Sequence, residues 1–161
     1  MVRFRRLTMV EVTTRVKAPA TRCFDLARDI DLHVTSMNST GERAVAGRMS
    51  GLIGLHEVVT WEARHLGVRQ RFTSQITRFD RPRHFRDEMV RGAFKSFVHD
   101  HYFEEHEGVT VMRDALVFAS PLGLLGRAVD RVFMSRYLTR LLQTRSDAVR
   151  LAAEQVDGAP K

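Results

Sequence analysis

The sequence predicts an α+β fold in which an antiparallel β-sheet wraps around one long C-terminal helix. Three observations carry this reading. Residues 121–155 contain no proline after Pro121, and their only glycines, Gly123 and Gly126, sit in the opening turns. Between residues 55 and 119, apolar and polar residues alternate with period two in runs separated by short turn signals, as in a series of hairpins. The order of elements is one strand, two short helices, several long strands and a final helix, which separates helices from strands as an α+β fold does.

Each element has its own signal. Residues 9–16 place Val10, Val12, Thr14 and Val16 on one face and Met9, Glu11, Thr13 and Arg15 on the other, a half-buried first strand. Ala18-Pro19 ends it. Residues 21–28 carry Cys23, Phe24, Leu26 and Ala27 at helical spacing, a short amphipathic helix, and a second short helix or turn covers 30–37. Residues 38–41 form a turn cluster and 42–46 a second strand. Gly47, Gly51 and Gly54 then punctuate Met49, Leu52 and Ile53. Such a segment is either a lid or a bulged strand end.

Strands follow at 55–65, 68–79, 85–94, 97–104 and 109–119, with turns at Leu66-Gly67, Asp80-Arg81-Pro82 and Glu107-Gly108. Gly92 marks a candidate bulge or a close approach of backbone. Ser120-Pro121 supplies a capping hydroxyl and a proline for the first helical position. At 1.5 Å per residue the helix would run roughly 50 Å. Its apolar stripe changes side: Leu125, Ala128, Val129, Val132 and Phe133 lie roughly opposite Met134, Tyr137, Leu138, Leu141, Leu142 and Val149. One straight helix cannot bury both. A kink or local turn near Ser135 resolves the conflict, or the first half packs on a lid, a partner or a membrane.

With 161 residues, the chain is expected to form one domain, 1–161, with an ordered core of about 7–155. No run approaches the ~20 apolar residues of a membrane span, so no integral membrane segment is expected. The N-terminus lacks the apolar core of a secretion signal, and the single cysteine, Cys23, excludes an internal disulfide; both fit a cytoplasmic location. The net charge is +7, carried by scattered arginines, since lysine occurs only at Lys17, Lys95 and Lys161. Scattered arginines read as solvated faces. No basic-aromatic interleaving points to nucleic acid, and no glycine-rich phosphate loop or dinucleotide fingerprint points to a nucleotide cofactor.

The residues best suited to chemistry are His99, His101 and Asp114. Alternation puts His99, His101 and Phe103 on one strand face, and Thr110, Met112, Asp114, Leu116 and Phe118 on a face of the next. If both faces point inward, two imidazoles and a carboxylate share an apolar interior. Three readings stay open. The histidines satisfy buried polar groups or orient a ligand oxygen. They act as an acid–base pair whose tautomer the carboxylate sets. Or His-x-His and Asp114 ligate a metal. No further carboxylate or cysteine stands at a convincing ligand spacing, so neither metal nor cofactor is expected. Trp61, Phe72, Ile76, Met89 and Phe94 are candidate wall residues that can equally be plain core. Arg91 joins the Met89 face only if that strand has no bulge, and would there bind an anionic ligand group. Cys23 reads as a buried structural thiol.

Five stretches carry a family resemblance: Glu57-Val58-Val59-Thr60-Trp61-Glu62-Ala63, Phe79-Asp80-Arg81-Pro82-Arg83-His84-Phe85, Val90-Arg91-Gly92-Ala93-Phe94, His99-Asp100-His101-Tyr102-Phe103 and Thr110-Val111-Met112-Arg113-Asp114, with Pro121-Leu122-Gly123 behind them. With the element order, they resemble the START/Bet v1-like (SRPBCC) superfamily, and within it the bacterial polyketide cyclase/dehydrase-like and CoxG-like proteins. The resemblance implies the helix-grip fold, a curved sheet of about seven strands around the C-terminal helix. It also implies a mainly apolar cavity between sheet and helix, to which Leu125 and Val129 would add wall from the helix. The second half of the helix is expected to grip the sheet and the first half to border the cavity mouth. The implied function is binding or transport of a small hydrophobic molecule such as a lipid, polyketide or aromatic compound. One alternative is a cyclase or dehydratase using His99, His101 and Asp114. Another is docking on an acidic partner or an anionic membrane surface. A homodimer is open to the chain.

Overall fold

The computed structural model describes residues 7–121 and 130–155. Strand β1 (Thr8–Val16) buries alternate residues, as its sequence period requires. Its partner is not its neighbour in sequence but the last strand, β7 (Val109–Ala119), paired antiparallel from Thr8 opposite Phe118 to Val16 opposite Thr110. Between them in the chain come β2 (Arg43–Gly47), β3 (Val58–His65), β4 (Val68–Asp80), β5 (His84–Arg91) and β6 (Ser96–His106). The seven strands form one sheet in the order β1-β7-β6-β5-β4-β3-β2, every neighbouring pair antiparallel. The chain therefore has to pass from one edge of the sheet to the other between β1 and β2. Helices α1 (Ala20–Ala27) and α2 (Ile30–Ser36) make that crossing. The expected α+β helix-grip architecture is the one observed.

Local chemistry explains the helix bounds. Pro19 stands just before α1, where a missing N–H costs nothing. Asp29 caps α2 by accepting from the N–H groups of Asp31 and Leu32 at 2.8 and 3.2 Å. Phe24 of α1 is fully buried and meets Phe79, Phe85 and Phe103 edge-on, with ring centroids 5.2–5.3 Å apart. Cys23 beside it is buried and free, and burial pushes its thiol pKa up, as a structural cysteine requires.

The C-terminal helix α3 (Ser135–Glu154) buries Leu138, Leu142, Ser146, Val149 and Ala153 along one stripe. Leu138 and Leu142 pack with Val10, Val12, Leu116 and Phe118 of the sheet. A π-helical turn, Asp130–Met134, precedes α3. Its wider winding shifts the phase of the side chains, and Val132 and Phe133 are exposed there rather than sharing the face of α3. The irregularity expected near Ser135 thus lies in the turn just before it. Residues 122–129, with the expectations for Gly123, Leu125, Gly126, Ala128 and Val129, lie outside the described residues. Among the described residues, no helix is long and apolar enough to cross a membrane.

The glycine-punctuated segment after β2 is fastened to the helices. Ile30 N–H donates to Gly51 O, Gly51 N–H to Asp31 Oδ2, Ile53 N–H to Arg28 O, and Arg28 Nη1 to Ile53 O, at 2.9–3.2 Å. Ile53 is buried in the core, so this segment closes one end of the interior as a tied strap.

Candidate functional site

The concave face of the sheet, α2 and α3 enclose a cavity of about 210 Å³. Period-two alternation delivers its sheet wall: Val59, Trp61, Ala63 and His65 from β3, Phe72, Ser74 and Ile76 from β4, Phe85 and Asp87 from β5. Strand β6 adds His99 and β7 adds Leu116, while Met134, Tyr137, Leu138, Leu141, Leu142 and Arg145 face them from the C-terminal helix and the turn before it. The exposed lining residues are Leu66, Arg71 and Ala93, which mark where the cavity meets solvent.

Three histidines interrupt this apolar wall, each with a polar partner. His33 of α2 lies 2.6 Å from Glu42 through Nε2 and stacks on Trp61. Burial, reinforced by the charge of Arg145, holds the His33 pKa below the usual value. Burial would raise the Glu42 pKa, but the contact with His33 outweighs it and holds the carboxylate low. The pair is therefore a neutral imidazole donating to an anion. His65 Nδ1 and the Tyr137 hydroxyl are 2.7 Å apart, joining β3 to α3. Burial lowers the pKa of His65 and raises that of Tyr137, so both stay uncharged near neutrality.

The third histidine belongs to a denser cluster on β5, β6 and β7. The strand register places Asp87 opposite His99 and His101 opposite Asp114. His101 Nε2 lies 2.9 Å from Asp87 Oδ2, and its Nδ1 lies 2.7 Å from Asp114 Oδ1. Both ring nitrogens face carboxylates, which only accept, so both carry hydrogen and His101 is an imidazolium. Burial opposes that charge, but the bonds to Asp114 and Asp87 outweigh it and raise the pKa. His99 Nε2 lies 3.1 Å from Asp114 Oδ1, while its Nδ1 is 3.7 Å from Asp87 Oδ2, too far for a hydrogen bond. Burial and the neighbouring His101 charge lower its pKa, so His99 is neutral with its proton on Nε2. Burial works against the Asp114 anion, yet the two histidines hold its pKa well below the usual range, and Ser146 Oγ donates to its Oδ2 at 2.9 Å. Asp87 is held low in the same way, chiefly by His101.

The structure brings His99, His101 and Asp114 together, and places Trp61, Phe72, Ile76, Phe94 and His99 on the cavity wall. His101, Phe103, Met112 and Asp114 line a separate small pocket of about 10 Å³ behind it. Met89 is half-buried but is not among the wall residues. Arg91 is exposed, and the reason is a bulge: Thr73 pairs with Arg91 and Ser74 with Met89, so Val90 is an extra residue that turns Arg91 to the outer face. Met89 and Arg91 therefore do not share a face. Leu125 and Val129 lie outside the described residues.

Sequence reasoning missed Asp87, His33, Glu42, His65, the Tyr137 hydroxyl and Arg145. Some had a signal. Asp87 falls between Phe85 and Met89 on the alternation of β5, His65 continues the Trp61 and Ala63 face, and His33 shares a helical face with Ile30 and Met37. Glu42 had none, because only tertiary packing brings it to His33.

Over residues 8–154, the sequence matches the family described as polyketide cyclase / dehydrase and lipid transport. The chain belongs to this family. No curated protein matches it significantly in sequence. Among solved structures, it resembles the Zhui aromatase/cyclase from Streptomyces sp. R1128, with a TM-score of 0.74 and 16% identity over 93% of this chain and 95% of that one. It also resembles TTHA0849 from Thermus thermophilus, with a TM-score of 0.71 and 19% identity over 92% and 100% of the two chains. A third is the major latex-like protein 151 from Panax ginseng, with a TM-score of 0.67 and 15% identity over 92% and 98%. At these identities the likeness is one of fold. It agrees with the START/Bet v1-like resemblance of the sequence.

Proposed function

We propose that this family member is a single-domain binding protein for a small, largely apolar molecule that carries oxygen substituents. The observation behind this reading is a mainly apolar cavity wall in which His33, His65 and His99 are each oriented by a partner, beside a few further polar groups such as Ser74, Asp87 and Arg145. Apolar wall contributes affinity, and a few fixed polar groups select orientation. The volume of about 210 Å³ lies between a ~150 Å³ cavity that takes benzene and the ~300 Å³ lower end of drug-sized pockets. A one- or two-ring aromatic compound, or a short acyl or polyketide-like chain, fits that interval.

Trp61 is the only tryptophan and is part of the wall, so its emission is the natural probe. Titration with 2-naphthol and with a short-chain fatty acid is expected to change Trp61 emission saturably for at least one of them. Native mass spectrometry of freshly purified protein should show a bound small molecule that solvent extraction releases. Unchanged emission with both probes, together with an empty protein by mass, would overturn the reading.

A second reading is a cyclase or dehydratase. It is favoured by His99, a neutral imidazole in the cavity wall whose tautomer Asp114 sets, an arrangement fit for moving a proton on a bound carbonyl compound. The similar aromatase/cyclase fold agrees with it. Protein that binds an aromatic polyketide precursor but leaves it unchanged excludes this reading and leaves the binding role standing.

A further inference from the structure

We infer that Asp87, His99 and His101 form a binding site for a divalent transition-metal ion, with its remaining coordination position directed into the cavity. The inner atoms of the three side chains converge. His101 Nε2 and His99 Nδ1 both face the same oxygen, Asp87 Oδ2, at 2.9 and 3.7 Å, and one ligand atom from each residue lies within 4.8 Å of the others. Metal–nitrogen and metal–oxygen bonds of about 2.0–2.2 Å leave neighbouring ligand atoms roughly 3.3 Å apart in a tetrahedral site. The two separations bracket that value, so shifts of a few tenths of an ångström bring the carboxylate oxygen to ligand spacing from each ring nitrogen.

The outer atoms make the stronger case. A histidine that ligates a metal through one nitrogen directs its other N–H to a carboxylate or carbonyl, which fixes the ring and strengthens it as a ligand. Here the outer nitrogens of both rings face one oxygen: His99 Nε2 and His101 Nδ1 lie 3.1 and 2.7 Å from Asp114 Oδ1. Asp114 is itself held by the Ser146 hydroxyl through its other oxygen. The rings are thus aimed from behind, and their inner faces meet at Asp87. In the metal-free protein a proton on His101 Nε2 occupies this meeting point, and a dication takes its place.

Access and selectivity follow from the surroundings. Asp87 and His99 line the cavity while His101 is buried behind them, so the ion is closed on the protein side and open on the cavity side. Two imidazoles and one carboxylate suit zinc, iron(II) or cobalt(II) and disfavour calcium or magnesium, which take oxygen ligands. The ion and the organic ligand share Asp87 and His99 as wall, but each can be tested without the other.

The test uses the full chain, stripped with a chelator and free of added organic ligand. Zinc competition against a chromophoric chelator should show one equivalent bound. Asp87→Asn, which keeps size and removes the anion, should weaken it at least 100-fold, and Asp114→Asn about 10–100-fold. Calcium at the same concentration should not compete. In the unaltered protein, histidine-ring NMR should show zinc moving His99 and His101 and leaving exposed His106 in place; this readout decides the matter if the variants do not fold. Absence of zinc uptake, uptake unchanged by Asp87→Asn in a folded variant, or shifts confined to other histidines would each overturn the site. Ligand titration by Trp61 emission is read separately, so loss of one property does not imply loss of the other.

Discussion

The His33 imidazole lies flat on the Trp61 indole, with ring centroids 4.1 Å apart and planes 17° apart. This stack joins α2 to β3, and Glu42 holds its far side. It makes the cavity wall sensitive to acid. Burial sets the folded pKa of His33 below that of the unfolded chain, with Arg145 adding to the effect and Glu42 and Asp87 opposing it. As pH falls through the ordinary histidine range, about 6.5, the unfolded chain takes up the proton first and stability declines. Glu42 is also depressed, so its contribution is present above the usual carboxylate value and is lost as pH falls through its lower folded value. Both effects act in one direction. Denaturant midpoints measured from pH 7.5 to 5 should fall for the unaltered protein and fall less for His33→Gln, which can donate to Glu42 but does not titrate. Equal slopes for the two proteins would exclude His33 as a contributor.

Phe24 is the keystone of the packing between α1 and the sheet, because three rings converge on it edge-to-face. Phe24→Ala removes a fully buried ring and leaves a hole that rigid strands cannot close. The expected loss is about 3–5 kcal/mol, read from chemical denaturation. Phe24 is not among the cavity-lining residues, so Phe24→Leu should be milder and keep ligand affinity near that of the unaltered protein. A loss below about 1 kcal/mol for Phe24→Ala would contradict this account of the core.

Most of the fold was legible because strand alternation survives in the sequence. The alternating runs at residues 9–16, 68–79 and 109–119 match β1, β4 and β7 to within one residue. Gly92 signalled the irregular end of β5, although the extra residue proved to be Val90. The site was legible only in part. Alternation placed His99, His101 and Asp114 on facing strands, since neighbouring strands fix such pairs locally. It could not show that Asp87 lies opposite His99, which depends on the β5–β6 register, nor that His33 reaches Glu42, which depends on how α2 packs. Arg91 illustrates the opposite failure, because one inserted residue reverses every inward and outward assignment beyond it.

Gly47 and Gly41 separate backbone conformation from backbone contact. Both have left-handed φ angles, 73° and 60°. A Cβ on Gly41 meets nothing within 4 Å, whereas one on Gly47 falls 2.0 Å from the carbonyl oxygen of Val58 on the neighbouring strand. Gly41→Ala should therefore cost only the conformational strain, about 1 kcal/mol. Gly47→Ala has to push β2 away from β3 and should cost about 3 kcal/mol or more. Thermal or urea denaturation of the two variants gives the comparison, and equal losses would mean that β2 yields freely.

Gly92 links the bulge to the cavity. A Cβ there would lie 2.9 Å from both Met89 Sδ and Phe72 Cδ2, side-chain atoms that can give way where backbone cannot. The Phe72 ring is part of the cavity wall and packs edge-on against Phe97, with centroids 4.9 Å apart. Gly92→Ala should accordingly leave global stability within about 1 kcal/mol of the unaltered protein while displacing Phe72 toward the cavity. Ligand affinity, followed by Trp61 emission, should fall several-fold, with larger ligands affected more than smaller ones. Phe72→Leu in the same background should restore part of the loss by giving the methyl group room. Unchanged affinity in Gly92→Ala would show that Phe72 moves outward instead, and that this side of the wall does not limit the size of the ligand.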